Sequence, residues 1–317
     1  MKTKYSVPML FLSVCLIWGT TWFAMEVAVK TIPPIMATGL RFLIAAPLLV
    51  VLAKYFKQPL LFPKGRGHWM PVVAVFYFAL PFTLMIFGEQ YISSGLAAII
   101  FANMPIAVML ASFVFLRLKL APHQLVGLLV AVMSLSWILL NEMAIGGTSY
   151  AIGMGALSVA VIIHAMMYVM VQKHCKDIPV LTYNAIPCLL ASVLLLLVSG
   201  SVEIADMSEF ALSSLVAVGF LGAVASVGGI VAYFKLNQVS TPFTASLCFL
   251  IFPIVALLIS AVVNNSGIAL QSMLLLVPLF MGILLSKTEP ALWRKGWSKL
   301  TVRPVKKCPA CLAEELV

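Results

Sequence analysis

The sequence predicts an all-α polytopic membrane protein with ten transmembrane helices arranged as two inverted five-helix repeats. Three observations predict this fold: an apolar composition, apolar stretches of membrane-spanning length, and a segment that occurs twice. The chain has 317 residues, of which 63% are hydrophobic and only 9% are charged, whereas a soluble domain carries about 25% charged residues. Backbone polar groups in lipid must be paired internally, which leaves helices or closed barrels. The apolar stretches lack the alternation of barrel strands, so we expect helices.

The segment Gln90–Ser112 is repeated at Gln238–Ser260, without a gap and at a shift of 148 residues. Seven of its 23 positions are identical in the two copies, and both have a proline near the middle. The identical pairs are Gln90/Gln238, Ala97/Ala245, Phe101/Phe249, Pro105/Pro253, Ile106/Ile254, Leu110/Leu258 and Ser112/Ser260. Matched proline-interrupted segments in two halves of a membrane chain indicate a transporter with a midplane binding site. The competing interpretation is a chance likeness between two apolar helices.

The first repeat, residues 1–141, contains five predicted spans. Its first span follows Lys2 and Lys4, as a signal peptide would, but its apolar core exceeds the roughly 7–15 residues of such a leader and contains two tryptophans. We therefore expect it to remain as a helix. The five spans are Pro8–Met25, Pro34–Ala53, Met70–Phe87, Ser94–Phe115 and Gln124–Leu140.

A polar break over Asn141–Tyr150 precedes the second repeat, residues 151–286. A basic cytoplasmic tail, residues 287–317, follows it and is either an amphipathic surface helix or an unstructured segment. The spans of this half are Ala151–Val171, Val180–Ser199, Phe210–Phe234, Phe243–Val263 and Ile268–Leu285.

The distribution of basic residues predicts the orientation of the spans. With a cytoplasmic N-terminus, 18 of the 20 Lys and Arg residues lie on the cytoplasmic side, as the positive-inside rule requires. Lys30 falls outside and Arg41 lies within a span. Because each half has an odd number of spans, the second half enters from the opposite side and the repeat is inverted. Both termini are then cytoplasmic, in the cytoplasmic (inner) membrane if the source is bacterial, and the net charge of +10 needs no nucleic-acid partner.

Arg41 is the charged residue expected deepest in a span, about 10 Å below the outer boundary. An intramembrane charge is costly and is by default a functional candidate. Arg41 could attract an anionic group of a substrate. Alternatively, it could hold a carboxylate such as Glu26 or Glu89 as a structural tie.

His164 lies at the centre of the sixth span, opposite Trp18 at a shift of 146 residues, and Tyr168 is then opposite Trp22. Rings at matched depth in both halves suit a shared central pocket. The unperturbed pKa of histidine lies near physiological pH, so His164 could carry a coupling proton. The alternative is a histidine hydrogen-bonded inside the bundle.

Asn103 and Asn184 complete the candidate substrate-binding residues, with Trp18, Trp22, Arg41, His164 and Tyr168. Pro105 and Pro253 are candidate hinges, because each proline removes an intrahelical hydrogen bond. Small residues spaced four apart, Gly127/Ala131, Gly222/Ser226 and Ala225/Gly229, indicate close helix packing.

The sequence offers no catalytic, cofactor or metal site. It contains no HExxH, GxSxG or glycine-rich phosphate loop. Cys308 and Cys311 form a CxxC, but structural zinc needs four ligands and no second pair is nearby. We expect neither an enzyme nor a bound cofactor.

Three motifs of the sequence resemble those of one protein family. Ile17–Trp22 reads IWGTTW, Thr38–Phe42 reads TGLRF, and Ser94–Pro105 matches a serine-to-proline pattern in the fourth helix. Together with the five-plus-five repeat they resemble the EamA type of the drug/metabolite transporter superfamily, over about Pro8 to Leu285.

The resemblance implies ten helices around a central cavity, lined by the first four helices of each half and buttressed by the fifth and tenth. It places Trp18, Arg41 and Pro105 at or near this cavity, with Pro253 as the mirror position. The chain departs from the family at Leu116–Lys119 and Val263–Ser266, where a Gly-Glu element is usual, and at His164, where tryptophan is usual.

We therefore expect a secondary transporter in the lipid bilayer, an exporter of small polar or amphipathic metabolites such as amino acids, working by alternating access. Its energy would come from a proton or substrate gradient, with facilitated diffusion or exchange as alternatives. An importer or lipid-linked flippase on the same scaffold is the second interpretation. A non-transporting membrane enzyme or assembly factor is the third. Assembly as a homo-oligomer stays open.

Overall fold

A computed structural model describes residues 6–117, 121–175, 177–240, 245, 247–264 and 268–288. Helix is the only type of regular secondary structure among these residues, which contain no strands. The predicted tail beyond residue 288, including Cys308 and Cys311, lies outside the described residues. The helices are α1 Ser6–Ala28, α2 Pro34–Tyr55, α3 Trp69–Val73, α4 Leu80–Gly88, α5 Ser94–Ala102, α6 Met104–Leu116, α7 Pro122–His174, α8 Val180–Val202, α9 Leu212–Phe220, α10 Gly229–Val239, α11 Cys248–Asn264 and α12 Leu270–Lys287.

Eight of the described helical segments are long and apolar enough to cross a membrane. A shorter apolar helix, Cys248–Val263, adds to them. The all-helical, polytopic class is therefore confirmed. Many leucine, isoleucine and valine side chains on the outer faces of these helices are exposed, because their solvent is lipid rather than water.

Helix α7 runs for 53 residues and differs from the predicted polar break. Most of Asn141–Tyr150 is helical, and the interruption is confined to Gly147, with φ 66° and ψ −150°. Only glycine adopts this backbone conformation readily. An unbroken helix of this length would extend about 80 Å, well over twice the roughly 30 Å hydrocarbon core.

Two spans contain π-helical segments, Ala74–Ala79 between α3 and α4 and Leu221–Gly228 between α9 and α10. Such segments are rare and often occur at functional sites. The shift of 148 residues found in the sequence repeat places positions 74–79 on 222–227, inside the second π segment. The π-helical segment therefore occurs at equivalent positions in both halves of the chain, as the repeated sequence does.

The predicted span Ser94–Phe115 is divided at Asn103, where the backbone has φ −80° and ψ 1°. Pro105 lies in the first turn of α6, where a missing N–H is tolerated. Pro253 instead lies inside α11. The two prolines therefore occupy different local geometries.

The helices pack in pairs that correspond under the repeat. Helix α2 lies along α8, the first part of α7 lies along α12, and α5 contacts α11. Gly127 and Gly282 allow α7 and α12 to approach closely, because a Cβ at Gly127 would lie 2.6 Å from the Gly282 carbonyl oxygen. The small pair Gly127/Ala131 therefore serves helix packing, as the sequence predicts.

Three helix N-termini are capped by side chains from distant parts of the chain. Glu203 accepts hydrogen bonds from the Ile35 and Met36 N–H groups at 2.8 and 2.9 Å. Glu142 accepts from Ala269 N–H at 3.0 Å, and the Thr31 hydroxyl accepts from Ala211 N–H at 3.0 Å. Acidic groups at these positions pair open N–H groups and favour the positive end of the helix dipole.

Candidate functional site

Trp18 lies in an aromatic cluster built by α1, α10 and α11. Its ring centroid is 4.9 Å from Tyr233, 5.5 Å from Phe249 and 6.3 Å from Phe252. Gly229 permits this arrangement, since a Cβ there would lie 2.6 Å from the Trp18 indole nitrogen. The predicted small residue Gly229 therefore positions a predicted site residue.

Trp22 lies one turn further along α1 and is 3% exposed. Its ring is 5.3 Å from Phe101 and stacks on Phe252 at 6.4 Å with an interplanar angle of 13°. Because Phe101 and Phe252 belong to α5 and α11, Trp22 joins the two copies of the repeated segment. Offset aromatic pairs of this kind stabilise a packed centre beyond their buried area.

His164 on α7 is surrounded by three aromatic rings. The imidazole centroid lies 4.6 Å from Tyr77, 5.5 Å from Phe82 and 6.1 Å from Phe101. Nδ1 is buried and has no hydrogen-bond partner among the described residues. The predicted alternative was a histidine that is hydrogen-bonded within the bundle. Among the described residues, Nδ1 makes no such bond.

The surroundings of Trp18 and His164 correspond. Trp18 contacts Phe249 and His164 contacts Phe101, and these two phenylalanines are an identical pair of the repeat. The sequence predicted the match between Trp18 and His164 but not the phenylalanine that each one contacts. The identity of Phe101 and Phe249 was the signal that could have found them.

Arg41 on α2 is 5% exposed and lies against the second π-helical segment. Its Nε donates to the Ser226 hydroxyl at 2.9 Å, and Nη1 lies 3.6 Å from the Met25 sulfur. The guanidinium carbon is 4.8 Å from the centroid of Phe82, a cation–π contact. Gly222 and Ser226 form one of the predicted pairs of small residues. A Cβ at Gly222 would lie 2.7 Å from the Arg41 carbonyl oxygen, so glycine at this position lets the segment that carries Ser226 approach Arg41.

The carboxylate tie considered for Arg41 is not formed: among the described residues Arg41 has no ion pair. Glu26 instead accepts a hydrogen bond from Ser94 N–H at 3.3 Å, at the start of α5. Glu89 is buried, and neither of its carboxyl oxygens has a hydrogen-bond partner among the described residues. Arg41 is held by a hydroxyl, a thioether and a ring instead.

The remaining candidates are placed differently. Asn103 is buried; its amide donates to the Ile99 carbonyl at 3.0 Å, and its Oδ1 has no partner within the described part of the chain. Asn184 donates to the Val180 carbonyl of its own helix at 2.7 Å. Tyr168 is 46% exposed, so its setting does not match that of buried Trp22.

The sequence did not single out Lys287, at the end of α12. Its Nζ lies 5.3 Å from the centroid of Phe249, so a second cation reaches the Trp18 cluster. Helix α12 otherwise packs along α7. Only the fold shows that its last residue meets α11.

An open depression of about 360 Å³ lies between the α1–α2 and α8–α9 connections. Lys30, Gln90 and Glu203 are among its lining residues. None of the predicted substrate-binding residues lines it. We therefore place the candidate site at the aromatic clusters and not at this depression.

The EamA-like transporter family model matches two segments of the chain, residues 6–140 and 151–288. Protein PagO of Salmonella typhimurium is 47% identical over 283 residues, covering 89% of this chain and 93% of that protein. An uncharacterized transporter of Buchnera aphidicola subsp. Schizaphis graminum is 39% identical and covers 89% of this chain and 94% of its own. The uncharacterized inner membrane transporter YedA of Escherichia coli K12 is 27% identical, covering 77% of this chain and 78% of its own.

A solved crystal structure is similar in fold. It has a TM-score of 0.63 and 17% sequence identity, and the match covers 93% of this chain and 100% of that one. The similarity shows the fold alone. Combined with the double family match over most of the sequence, it leads to one conclusion: the chain belongs to the EamA-like transporter family and is a membrane transporter.

Proposed function

We propose that this transporter is a secondary exporter of small polar or amphipathic metabolites, such as amino acids and related compounds. The observation that carries the proposal is the correspondence of two ring clusters, Trp18 on Phe249 and His164 on Phe101. In each cluster, a ring on a helix of one half contacts the copy of the repeated segment in the other half. The two contacts fall at equivalent positions of the repeat. A site built from both repeats suits alternating access, in which one body rocks against the other around a fixed centre.

The proposed architecture has ten spans. Eight segments qualify by length and composition; the break at Gly147 lets the longest cross twice, and Cys248–Val263 supplies the last. The two proposed repeats are residues 1–141 and 151–286, followed by the tail 287–317. The doubled family match, the repeated π segments and the corresponding helix pairs support them. Both termini would then be cytoplasmic, with the spans in the cytoplasmic (inner) membrane.

The chemistry around the clusters supports an amphipathic substrate. Aromatic rings offer an apolar surface, while Arg41 and Lys287 each present a cation beside one of those rings. A carboxylate with a small side chain complements both features. Tyr168 and Asn184 remain candidates for the substrate path, and Pro105 and Pro253 for the hinges.

Counterflow in proteoliposomes tests the proposal. Purified protein is reconstituted, loaded with unlabelled amino acids and other small metabolites in turn, and assayed for uptake of the matching labelled compound. We expect saturable uptake for at least one compound, reduced at least about tenfold by Trp18→Ala, as for loss of one good binding contact. Leu197→Ala is the matched control, because Leu197 is 68% exposed on α8 and faces lipid.

Uptake indistinguishable from empty liposomes for every compound, in protein shown to be folded, would contradict this function. Equal uptake in Trp18→Ala and Leu197→Ala would leave the transport function intact and remove Trp18 from the site. Accumulation in sealed vesicles of known orientation then gives the direction of transport.

A further inference from the structure

Glu89 is the most unusual carboxyl group in the described part of the chain. It follows directly after the span Trp69–Gly88 as the C-cap of α4 and is only 4% exposed. Both of its carboxyl oxygens lack a hydrogen-bond partner among the described residues. An ionised carboxylate in such a place is costly, so the neutral acid is favoured. Burial accordingly raises the pKa of Glu89 well above its ordinary value.

Two charged groups act on Glu89, one from each of two neighbouring helices. The Glu26 carboxylate on α1 disfavours a second negative charge, whereas the Arg41 guanidinium on α2 favours it. On α7, the residues nearest to Gly88, which precedes Glu89, are Gly153 and Leu157, and neither titrates. Burial therefore has the largest effect on the pKa of Glu89, and Glu26 and Arg41 shift it in opposite directions.

Among the described residues Glu26, unlike Glu89, has a hydrogen-bond donor at its carboxylate. Its Oε2 accepts the Ser94 N–H at the start of α5, where the helix dipole stabilises a negative charge. The net charge of the group formed by Glu26, Glu89 and Arg41 changes by one unit when a proton binds to or leaves Glu89. A buried group with two such states changes its interactions when one proton binds or leaves.

Arg41 connects this group to the candidate substrate site. Its guanidinium lies over Phe82, whose ring is 5.5 Å from His164. It also donates to Ser226 in the second π-helical segment. When Glu89 loses its proton, its negative charge attracts the Arg41 guanidinium more strongly. Arg41 is hydrogen-bonded to Ser226 in the other half of the molecule.

We propose that Glu89 is the proton-binding site through which transport is coupled to a proton gradient, with Arg41 as the positioning residue. The inference rests on the proposed transport function. Glu89 takes up one proton from one side of the membrane and releases it to the other in each cycle, in exchange for substrate. The proton is the only species transferred at Glu89, and its covalent O–H bond is re-formed in each cycle. His164, surrounded by uncharged rings, then contributes to substrate contact.

The test compares gradient-driven accumulation with counterflow in the same proteoliposomes, using radiolabelled amino acids as probes. One coupled proton and a gradient of about two pH units support an accumulation ratio of up to about 100, since each unit is a factor of ten. We expect Glu89→Gln to reduce this ratio to about 1 while counterflow of the same probe persists, because glutamine keeps the size of the side chain but cannot bind or release a proton. Glu209→Gln is the matched control, since Glu209 is exposed on a neighbouring connection.

Glu26→Gln adds a readout that a merely structural role would not produce. Removing its charge lowers the pKa of Glu89, so the pH midpoint of coupled transport should move to lower pH. Full gradient-driven accumulation in Glu89→Gln, or its loss in His164→Ala with retention in Glu89→Gln, would overturn the proposal. Counterflow without any effect of a pH gradient in the unmodified protein would also overturn it and would leave the transport function standing.

A spectroscopic measurement keeps the inference testable if none of the probes is transported. Infrared difference spectra of the protein in vesicles, recorded between acidic and alkaline buffer, report the C=O band of protonated carboxylic acids. We expect one such band to titrate well above the range of an ordinary glutamate in the unmodified protein and in Glu209→Gln, and to be absent in Glu89→Gln. If the band is missing from the unmodified protein or survives in Glu89→Gln, Glu89 is not the proton site.

Discussion

Individual side chains show where sequence reasoning succeeds and where packing decides. Arg41, Trp18 and His164 were identifiable because a charge or a ring inside an apolar span is rare enough to notice. Their partners were not, because the sequence does not show which helix faces meet. Ser226 was predicted as a packing residue, yet it also accepts the hydrogen bond of Arg41.

The bond between Arg41 and Ser226 provides a test at the residue scale. Ser226→Ala leaves the buried Arg41 Nε without its acceptor, and we expect a loss of about 1–2 kcal/mol in unfolding free energy. Ser213→Ala is the matched control, because Ser213 is exposed on the same span. Thermal unfolding in detergent, followed by tryptophan fluorescence, measures the difference. Equal melting temperatures for the two variants would show that the bond contributes nothing to stability.

At the scale of helices, the sequence predicts the spans better than their interruptions. Outside α7, which covers two predicted spans in one helix, apolar length located most of the described spans to within a few residues, because it reflects the thickness of the membrane. The π-helical segments and the division at Asn103 were missed, because no local residue pattern specifies them. The break at Gly147 was predicted as a polar loop, since Asn141 and Glu142 look like loop residues; Glu142 instead caps α12 from within a helix.

The contact between α7 and α12 provides a test at this scale. Gly127→Ala would place a Cβ 2.6 Å from both the Gly282 oxygen and the Ser286 nitrogen. These are backbone atoms, so the helices must separate, and we expect a destabilisation of about 1–3 kcal/mol. The matched control is Gly219→Ala on α9, where no heavy atom lies within 4 Å of the added Cβ. Alanine there should be neutral or stabilise by up to about 1 kcal/mol.

Chemical unfolding in detergent micelles compares the two glycine variants. A Gly127→Ala protein as stable as the parent would mean that α7 and α12 are not held at this distance. A Gly219→Ala protein that is equally destabilised would assign the effect to alanine in a span and not to the helix contact.

At the scale of the whole molecule, an ion pair links two connections that the charge pattern predicts to lie on the same side of the membrane. Arg66 and Asp177 form an ion pair between the connection that follows α2 and the one that follows α7. The proposed orientation places both connections in the cytoplasm. The carboxylate caps lie at the other ends of the helices, where the sequence predicts the outer loops. The counts of charged residues predicted on which side of the membrane each connection lies, but they did not predict these contacts.

Single-cysteine labelling tests the orientation. Ser208→Cys lies in an exposed position on the predicted outer side, and Lys64→Cys lies in an exposed position on the predicted cytoplasmic side. In intact cells we expect a membrane-impermeant maleimide to label Ser208→Cys and not Lys64→Cys, above the background of the parent protein. Both should react after the cells are opened. Labelling of Lys64→Cys in intact cells would reverse the proposed topology.

The cap on α2 also has a consequence for biogenesis. Ile35 and Glu203 are separated by 168 residues in the chain, so the ribosome makes the start of α2 long before it makes the group that completes it. Until α8 has been inserted, the first N–H groups of α2 depend on water or lipid headgroups at the membrane surface. The N-terminus of α2 is therefore completed late in synthesis, and a nascent chain that ends before residue 203 lacks the carboxylate that caps it.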